Sequence, residues 1–283
     1  MLPIDARILP IRADFRRGLP KKALYSLDLP ESLELGSITR EALAETWGTF
    51  LLTLIGPGSI TALSYLEGPG LTMTKLGFIG LAHGVALIAA AYSVGHVSGA
   101  HINPAVTIAH WATRRMDRTR VAPYVLAQFA GASIAGFLQL AIWSGSQTTY
   151  SVAKSTYLGN TLVNSDFGVG AALFVEIIGT AILAFTVMGA NDREAGASSK
   201  AFAGLAIGFV LAGIIWMFGP ISGASLNPAR TWGPTLASAL FSPTIFSNYW
   251  IYVIGPVLGG LLGAFLYDAV RGELTASKDA TAQ

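Results

Sequence analysis

Two eight-residue segments of the chain carry the same pattern of helix-initiating residue types. Residues 98–105 read SGAHINPA, and residues 222–229, which begin 124 positions later, read SGASLNPA. In each segment an Asn stands where a helix N-cap is preferred, and a Pro follows at the first helical position. The repeat therefore predicts one helix-initiating loop that occurs twice, with these residues at its centre: Asn103, Pro104, Ala105, Asn227, Pro228 and Ala229.

The helices that these loops start are predicted to be short. They run from Pro104 to about Ala112 and from Pro228 to about Ala239. Some ten residues give ~15 Å, which is half of a ~30 Å hydrocarbon core, so two half-helices meeting tip to tip fill one membrane span. Their N-termini would place partial positive charge and two Asn amide donors at mid-membrane. A water molecule there accepts hydrogen bonds instead of relaying a proton, and cations are repelled.

The composition places the chain in a membrane. It is 52% hydrophobic and 12% charged, against about 25% charged residues in soluble domains. A net charge of +2 gives no reason to expect a nucleic-acid partner, and the absence of Cys excludes disulfides. Six apolar stretches of about 20 residues predict an all-α protein with six transmembrane helices, at about 42–62, 77–97, 121–143, 168–189, 201–219 and 249–270.

Charge placement predicts the topology. Fifteen of the 18 Lys and Arg residues fall on the side of the two termini, so the positive-inside rule puts both termini in the cytoplasm. We expect residues 1–40 to be a cytoplasmic tail, either a loose extension or a gating or sorting element, and residues 271–283 to be a second tail. We expect residues 41–270, which contain all six spans and both loops, to form one membrane domain that serves as the channel.

That domain contains two repeats, about 41–143 and about 168–270. Glu45 and Glu176 occupy matching positions early in the two repeats, and small-xxx-small glycine pairs that favour close helix packing recur in both. Three spans in each repeat force the second copy to enter from the opposite side of the membrane. The two carboxylates are expected to accept hydrogen bonds from the re-entrant loop backbones, and the alternative is a proton relay.

The paired Asn-Pro-Ala segments, Arg230 directly after the second, and the two early glutamates resemble the aquaporin (major intrinsic protein) family over residues 41–270. The resemblance implies an aquaporin-like fold and a homotetramer with one pore per subunit. It also implies an outer selectivity filter at His83, Ile215, Ala224 and Arg230. The backbone carbonyls that line the pore would be those of Gly99, Ala100, His101, Gly223, Ala224 and Ser225.

The filter departs from that of strict water pores. Ile215 replaces the usual fifth-span His, and the His stands on the second span at position 83, a pattern similar to plant vacuolar-membrane aquaporins, while the second half resembles archaeal ones. Thr231 stands where the glycerol branch has Asp. We therefore expect a channel for water and ammonia that excludes ions, with His83 donating one hydrogen bond to the solute. A glycerol- or urea-type facilitator and a non-conducting structural membrane protein remain alternatives.

Other classes fit the residues less well. A proton-coupled transporter would also use inverted repeats, but paired broken loops favour a static pore. The sequence shows no nucleophile with a base, no metal-ligand spacing among its histidines and no cofactor motif, so no enzyme is predicted. The expected partners are water, small neutral solutes and membrane lipid. The expected location is the cell membrane, with an internal membrane left open.

Overall fold

The computed structural model describes residues 36–192, 194 and 196–272, without the side chains of residues 197–200. Those residues form helices and connecting turns and contain no strand. The helices are α1 (Ser37–Glu67), α2 (Met73–Ser98), α3 (Pro104–Ala112), α4 (Arg118–Trp143), α5 (Gln147–Thr156), α6 (Gly168–Ala190), α7 (Ala197–Ser222), α8 (Pro228–Ser238) and α9 (Ile251–Arg271).

Six of these helices are long and apolar enough to cross a membrane, which confirms the predicted number of spans. They are α1, α2, α4, α6, α7 and α9. Helix α1 begins at Ser37, within the segment predicted as the N-terminal tail. Most of that predicted tail, residues 1–35, and the second tail from residue 273 lie outside the described residues.

The two half-helices begin and end where the sequence predicts. Asn103 and Asn227 are the N-caps of α3 and α8, with Pro104 and Pro228 at the first helical positions. Their nine and eleven residues correspond to about 14 and 17 Å, so the pair is long enough to form one broken span.

Each half-helix packs against a helix of the other repeat. Helix α1 packs on α2 and α4, and α6 packs on α7 and α9 in the corresponding way. Each half-helix contacts the opposite repeat: α3 packs on α9, and α8 packs on α4. This exchange fixes the two loops relative to one another.

Glycines allow the close approaches that this exchange requires. A Cβ at Gly136 of α4 would overlap the backbone of Gly233 in α8, and one at Gly84 would overlap the Gly208 carbonyl across the α2–α7 contact. Gly263 is equally close to the Ala181 carbonyl, between α9 and α6. These contacts leave no room for side chains, as small-residue helix interfaces in membranes require.

Candidate functional site: a pore with a polar constriction

The two loops that precede the half-helices share an unusual backbone. Gly99 and Gly223 lie in the left-handed region at φ 84° and 83°, and four non-glycine residues of the loops also have positive φ, namely Ala100, Ile102, Ala224 and Leu226. This irregular path leaves the carbonyls of residues 99–101 and 223–225 without a hydrogen-bond donor among the described residues. Carbonyls that lack protein donors within a membrane are tolerated where they line a cavity or meet water.

Glu45 and Glu176 each accept hydrogen bonds from one of the two loops. Glu45 accepts hydrogen bonds from the Ser98 hydroxyl (2.7 Å) and from the backbone N–H groups of His101 (2.9 Å) and Ile102 (2.6 Å). Glu176, which is fully buried, makes the matching bonds to the Ser222 hydroxyl, the Ser225 N–H and the Leu226 N–H at 2.7–2.8 Å. This geometry favours loop support over a proton relay, because the carboxylate oxygens are occupied by donors.

Asn103 and Asn227 join the loops at their tips. The Asn103 Nδ2 donates to Leu226 O at 2.7 Å, and the Asn227 Nδ2 donates to Ile102 O at 2.8 Å. Each side-chain oxygen caps its own half-helix, accepting from the N–H of Ala105 or Ala229. An amide nitrogen carries two N–H groups, so each Asn keeps one donor for a molecule in the adjacent cavity.

A cavity of about 310 Å³ leads to these two donors. One side is polar and includes Gly99, Ala100, His101, Ser225 and both Asn residues. The rest of the wall is largely apolar, formed by Leu52, Leu87, Val106, Leu183, Val187, Ile207 and Leu211. A narrow file of hydrogen-bonding groups on an apolar wall supports the passage of small neutral molecules without holding them tightly.

His83 and Arg230 lie at one end of this cavity and contact each other. The Arg230 Nη2 is 2.9 Å from the His83 Nε2, and the His83 Nδ1 is 2.8 Å from Ile79 O. A carbonyl only accepts and a guanidinium only donates, so Nδ1 carries the proton and Nε2 is the acceptor. The expectation that His83 donates to a solute is therefore wrong, because both of its ring nitrogens are engaged within the protein.

Arg230 supplies the donors instead. Its side chain is buried, and its Nη1 donates to Gly159 O at 3.1 Å. The Nε has no partner among the described residues. Three of the five guanidinium N–H groups thus remain for a molecule in the constriction.

Gly159 positions this arginine, and the sequence analysis missed it. Tyr157, Leu158 and Gly159 all have positive φ, and Leu158 is fully buried. A Cβ on Gly159 would overlap the Pro57 carbonyl of α1, so only glycine fits there. A lone Gly in the segment between α5 and α6 gave no signal of contact with Arg230.

We expect Gly159→Ala to displace the segment that carries the Gly159 carbonyl and so to free Arg230. Left-handed strain alone costs about 1–2 kcal/mol, and the overlap with Pro57 adds to that cost. Thermal unfolding should therefore begin at lower temperature, and cation leak in liposomes should rise. Gly213→Ala on α7, where a Cβ meets open space, is the control. Wild-type stability and wild-type leak in Gly159→Ala would contradict this role.

The other two predicted filter residues, Ile215 and Ala224, do not line this cavity. Ile215 and Ala224 are both buried, with 2% exposure, and both belong to the central apolar cluster. The cavity is bounded by His83 and Arg230 and is not lined by Ile215, Gly223 or Ala224. Their place in the constriction stays a prediction.

The other end of the cavity opens beside the loop between α6 and α7. Asn191 lines this mouth, and its neighbour Asp192 accepts from the Tyr267 hydroxyl and the Arg271 Nε, both at 2.7 Å. The hydrogen bond from Tyr267, more than the nearby Arg271 charge, lowers the pKa of Asp192. The link therefore persists at neutral pH and is lost only as pH falls through that lowered pKa.

Gln128 is a further residue that the sequence analysis missed. Its Nε2 donates to Glu45 at 2.7 Å and to the Thr107 hydroxyl at 3.0 Å, joining α4 to the first loop. The signal was present, because an uncharged amide in an apolar span needs a buried partner. The second repeat has Pro256 at the matching position and so lacks this contact.

These features define a class of membrane protein: six candidate spans in two inverted repeats, with two half-helices that meet at paired Asn residues. The sequence matches the Major intrinsic protein family over residues 32–267. The chain belongs to this family, as its resemblance to aquaporins predicted.

Individual relatives agree with this assignment. The chain is 38% identical over 252 residues to Aquaporin AqpM of Methanothermobacter marburgensis, covering 84% of this chain and 99% of that protein. It is 35% identical over 240 residues to Aquaporin Z of Photorhabdus laumondii, covering 83% and 98%. Among solved structures, the aquaglyceroporin from Plasmodium falciparum matches with a TM-score of 0.70 and 25% identity, covering 84% of this chain and 98% of that one. The protein is therefore a multi-pass membrane protein of a channel family.

Proposed function

We propose that this protein is a passive channel for water and ammonia that excludes protons and ions. The observation that carries the proposal is the cavity that joins two free Asn N–H groups to the Arg230 guanidinium along a file of backbone carbonyls. Water and ammonia are small enough for such a file, and both accept hydrogen bonds from its donors.

Exclusion of charge follows from the same parts. Arg230 is buried at the end of the cavity, and the two half-helix N-termini add about half a positive charge each. A cation that enters loses its hydration shell and meets positive potential at both places. A proton cannot be relayed along the water file past the paired Asn donors, because the water molecule there must accept from both.

Ammonia passage is supported by the chemistry of the constriction. The ring nitrogens of His83 are engaged with Ile79 and Arg230. Ile215, which does not line the described cavity, is proposed as a filter residue that offers no hydrogen bond. Hydrogen bonding to the solute then depends on Arg230. Its N–H groups can donate to any small molecule that accepts hydrogen bonds, including ammonia as well as water. Glycerol transport is the second candidate, since the solved structure that the fold matches is an aquaglyceroporin.

The proposed assembly is a homotetramer in the cell membrane with both termini in the cytoplasm and one pore per subunit. Arg120 at the start of α4 pairs with Glu41 near the start of α1, and Arg115 pairs with Asp268 near the end of α9. Basic residues therefore gather where α1 begins and α9 ends, which supports this orientation by the positive-inside rule.

The experiment is stopped-flow swelling of proteoliposomes with water, ammonia, urea and glycerol gradients, beside a dye that reports internal pH. We expect water and ammonia fluxes well above those of empty vesicles, no proton leak, and glycerol flux near the empty-vesicle rate. Ile215→His, which adds a ring and a donor, should lower ammonia flux more than water flux. Absence of any water flux would contradict a channel, and equal loss of both fluxes in Ile215→His would remove Ile215 from the filter.

A further inference from the structure

A basic pocket lies at the end of the half-helix α3, away from the pore. It is a shallow cavity of about 450 Å³ between the end of α3 and the start of α4, lined by residues 111 and 114–118. Four of its lining residues are exposed, one of them Asp117. The other three define what we call the arginine pocket: Trp111, Arg114 and Arg118.

Two of the three arginines in this pocket form no ion pair with a residue that the structure describes. Arg115 pairs with Asp268 at 2.6 Å, whereas Arg114 and Arg118 have no ion pair with any residue that the structure describes. Asp117 caps α4, accepting from the Thr119 N–H and hydroxyl, and the bond to this hydroxyl is the main cause of its lowered pKa. The three arginines therefore exceed the two nearby carboxylates, Asp117 and Asp268, by one positive charge.

The backbone holds Arg114 in a conformation that favours glycine. The Arg114 N–H donates to Trp111 O at 3.0 Å, and the Arg115 N–H donates to His110 O at 2.8 Å. These two bonds form a Schellman motif, whose left-handed residue is usually Gly. Here it is Arg114, at φ 58°. An arginine therefore stands where the backbone favours glycine, which is consistent with a role for its side chain.

The pocket lies where a lipid headgroup would be. Helix α3 ends here and α4, a candidate membrane span, begins here, so the pocket is placed at the membrane surface. Trp111 is 48% exposed, and Trp rings favour this headgroup level. Guanidinium groups bind phosphate oxygens in a planar, bidentate manner.

We propose that Trp111, Arg114 and Arg118 bind the phosphate headgroup of an anionic phospholipid. Free phosphate lacks acyl chains that would pack beside Trp111, so the occupant is the lipid. Because the N-cap of α3 is Asn103, about 14 Å from its other end, the bound lipid would hold the C-terminal end of the helix that carries a pore residue.

The test uses the full chain in nanodiscs of neutral phosphatidylcholine, with and without phosphatidylglycerol in both leaflets. Lipid binding is measured by native mass spectrometry and by the shift in thermal unfolding. We expect phosphatidylglycerol to bind and to raise the unfolding temperature of the wild type. Arg118→Gln should weaken binding about fivefold, as the loss of one arginine near an anionic surface implies. Lys154→Gln, on α5 at the opposite end of the bundle, is the matched control.

Arg114→Gly separates binding from folding. Glycine suits the left-handed position, so this variant should be at least as stable as the wild type in neutral lipid, yet it should lose most of the stabilisation by phosphatidylglycerol. Inorganic phosphate added to neutral nanodiscs should have no effect.

Wild-type lipid binding in both Arg114→Gly and Arg118→Gln would overturn the proposal, as would equal stabilisation by inorganic phosphate. If Arg114→Gly is poorly folded, Arg118→Gln against Lys154→Gln still decides the result. None of these measurements depends on solute flux, so their failure is distinct from failure of the channel proposal.

Discussion

Arg230→Val is expected to admit monovalent cations and protons while water still flows. The substitution removes the buried guanidinium at the end of the cavity and leaves Gly159 O and the His83 Nε2 without a donor. A unit charge about 5 Å from a passing cation, at an effective dielectric constant near 20, opposes it by about 3 kcal/mol, or roughly a hundredfold. A water molecule loses hydrogen-bond donors in this variant, but the positive charge of Arg230 did not oppose its passage, so water flux should change much less.

The measurement is ionic current beside swelling rate in proteoliposomes with matched protein content. Arg230→Lys is the control, because it keeps the charge but cannot reach both acceptors in the same planar geometry. We expect this variant to stay impermeable to cations even if water flux changes. An unchanged ratio of current to water flux in Arg230→Val would show that Arg230 is not the charge barrier.

Glu176→Gln is expected to lower the stability of the protein more than Glu45→Gln does. In both glutamates the two carboxylate oxygens accept loop N–H groups separately, from Ser225 and Leu226 at Glu176 and from His101 and Ile102 at Glu45. A glutamine places an NH₂ group against one of these donors, and a buried donor left unpaired costs about 1–3 kcal/mol. Glu45 differs because it also accepts a hydrogen bond from the Gln128 amide. The oxygen of that amide, Oε1, has no partner among the described residues. Rotation of that amide would let its oxygen accept from the new NH₂ group.

Thermal unfolding in one detergent, with water flux on the same preparations, tests this difference. The unfolding temperature should fall in both variants but further in Glu176→Gln. The double variant Glu45→Gln with Gln128→Leu removes the compensating amide and should fall to the level of Glu176→Gln. Equal losses in the two single variants would contradict the role given to Gln128.

The sequence was sufficient for the parts of the fold that depend on local chemistry. Apolar length alone predicts the six spans, and the Asn-Pro pairs predict the starts of α3 and α8, because capping and proline preferences act within a few residues. Helix α5 (Gln147–Thr156) was not predicted, since it is polar and too short to span.

Contacts between distant residues were harder to predict. The bond between His83 and Arg230 joins residues 147 positions apart, and its geometry depends on how α2 packs beside the second loop. The direction of the His83 hydrogen bonds follows only from its distance to Ile79 O. In the same way, Gly159 reaches Arg230 because the Pro57 carbonyl leaves room only for a residue without a Cβ. The local sequence of neither segment predicts that contact.

The exchange of amide bonds between the two loop tips has a consequence for how the chain is made. Asn103 donates to a carbonyl 123 residues later, and Asn227 donates to one 125 residues earlier. At translation rates of about 5–20 residues per second, the first tip waits roughly 6–25 s for its partner. During that interval its amide lacks its final acceptor, so the first half of the nascent protein cannot complete its own re-entrant loop. Chaperone or translocon contacts on this intermediate should end only when residue 226 has emerged, which makes assembly of the pore a late, single event in biogenesis.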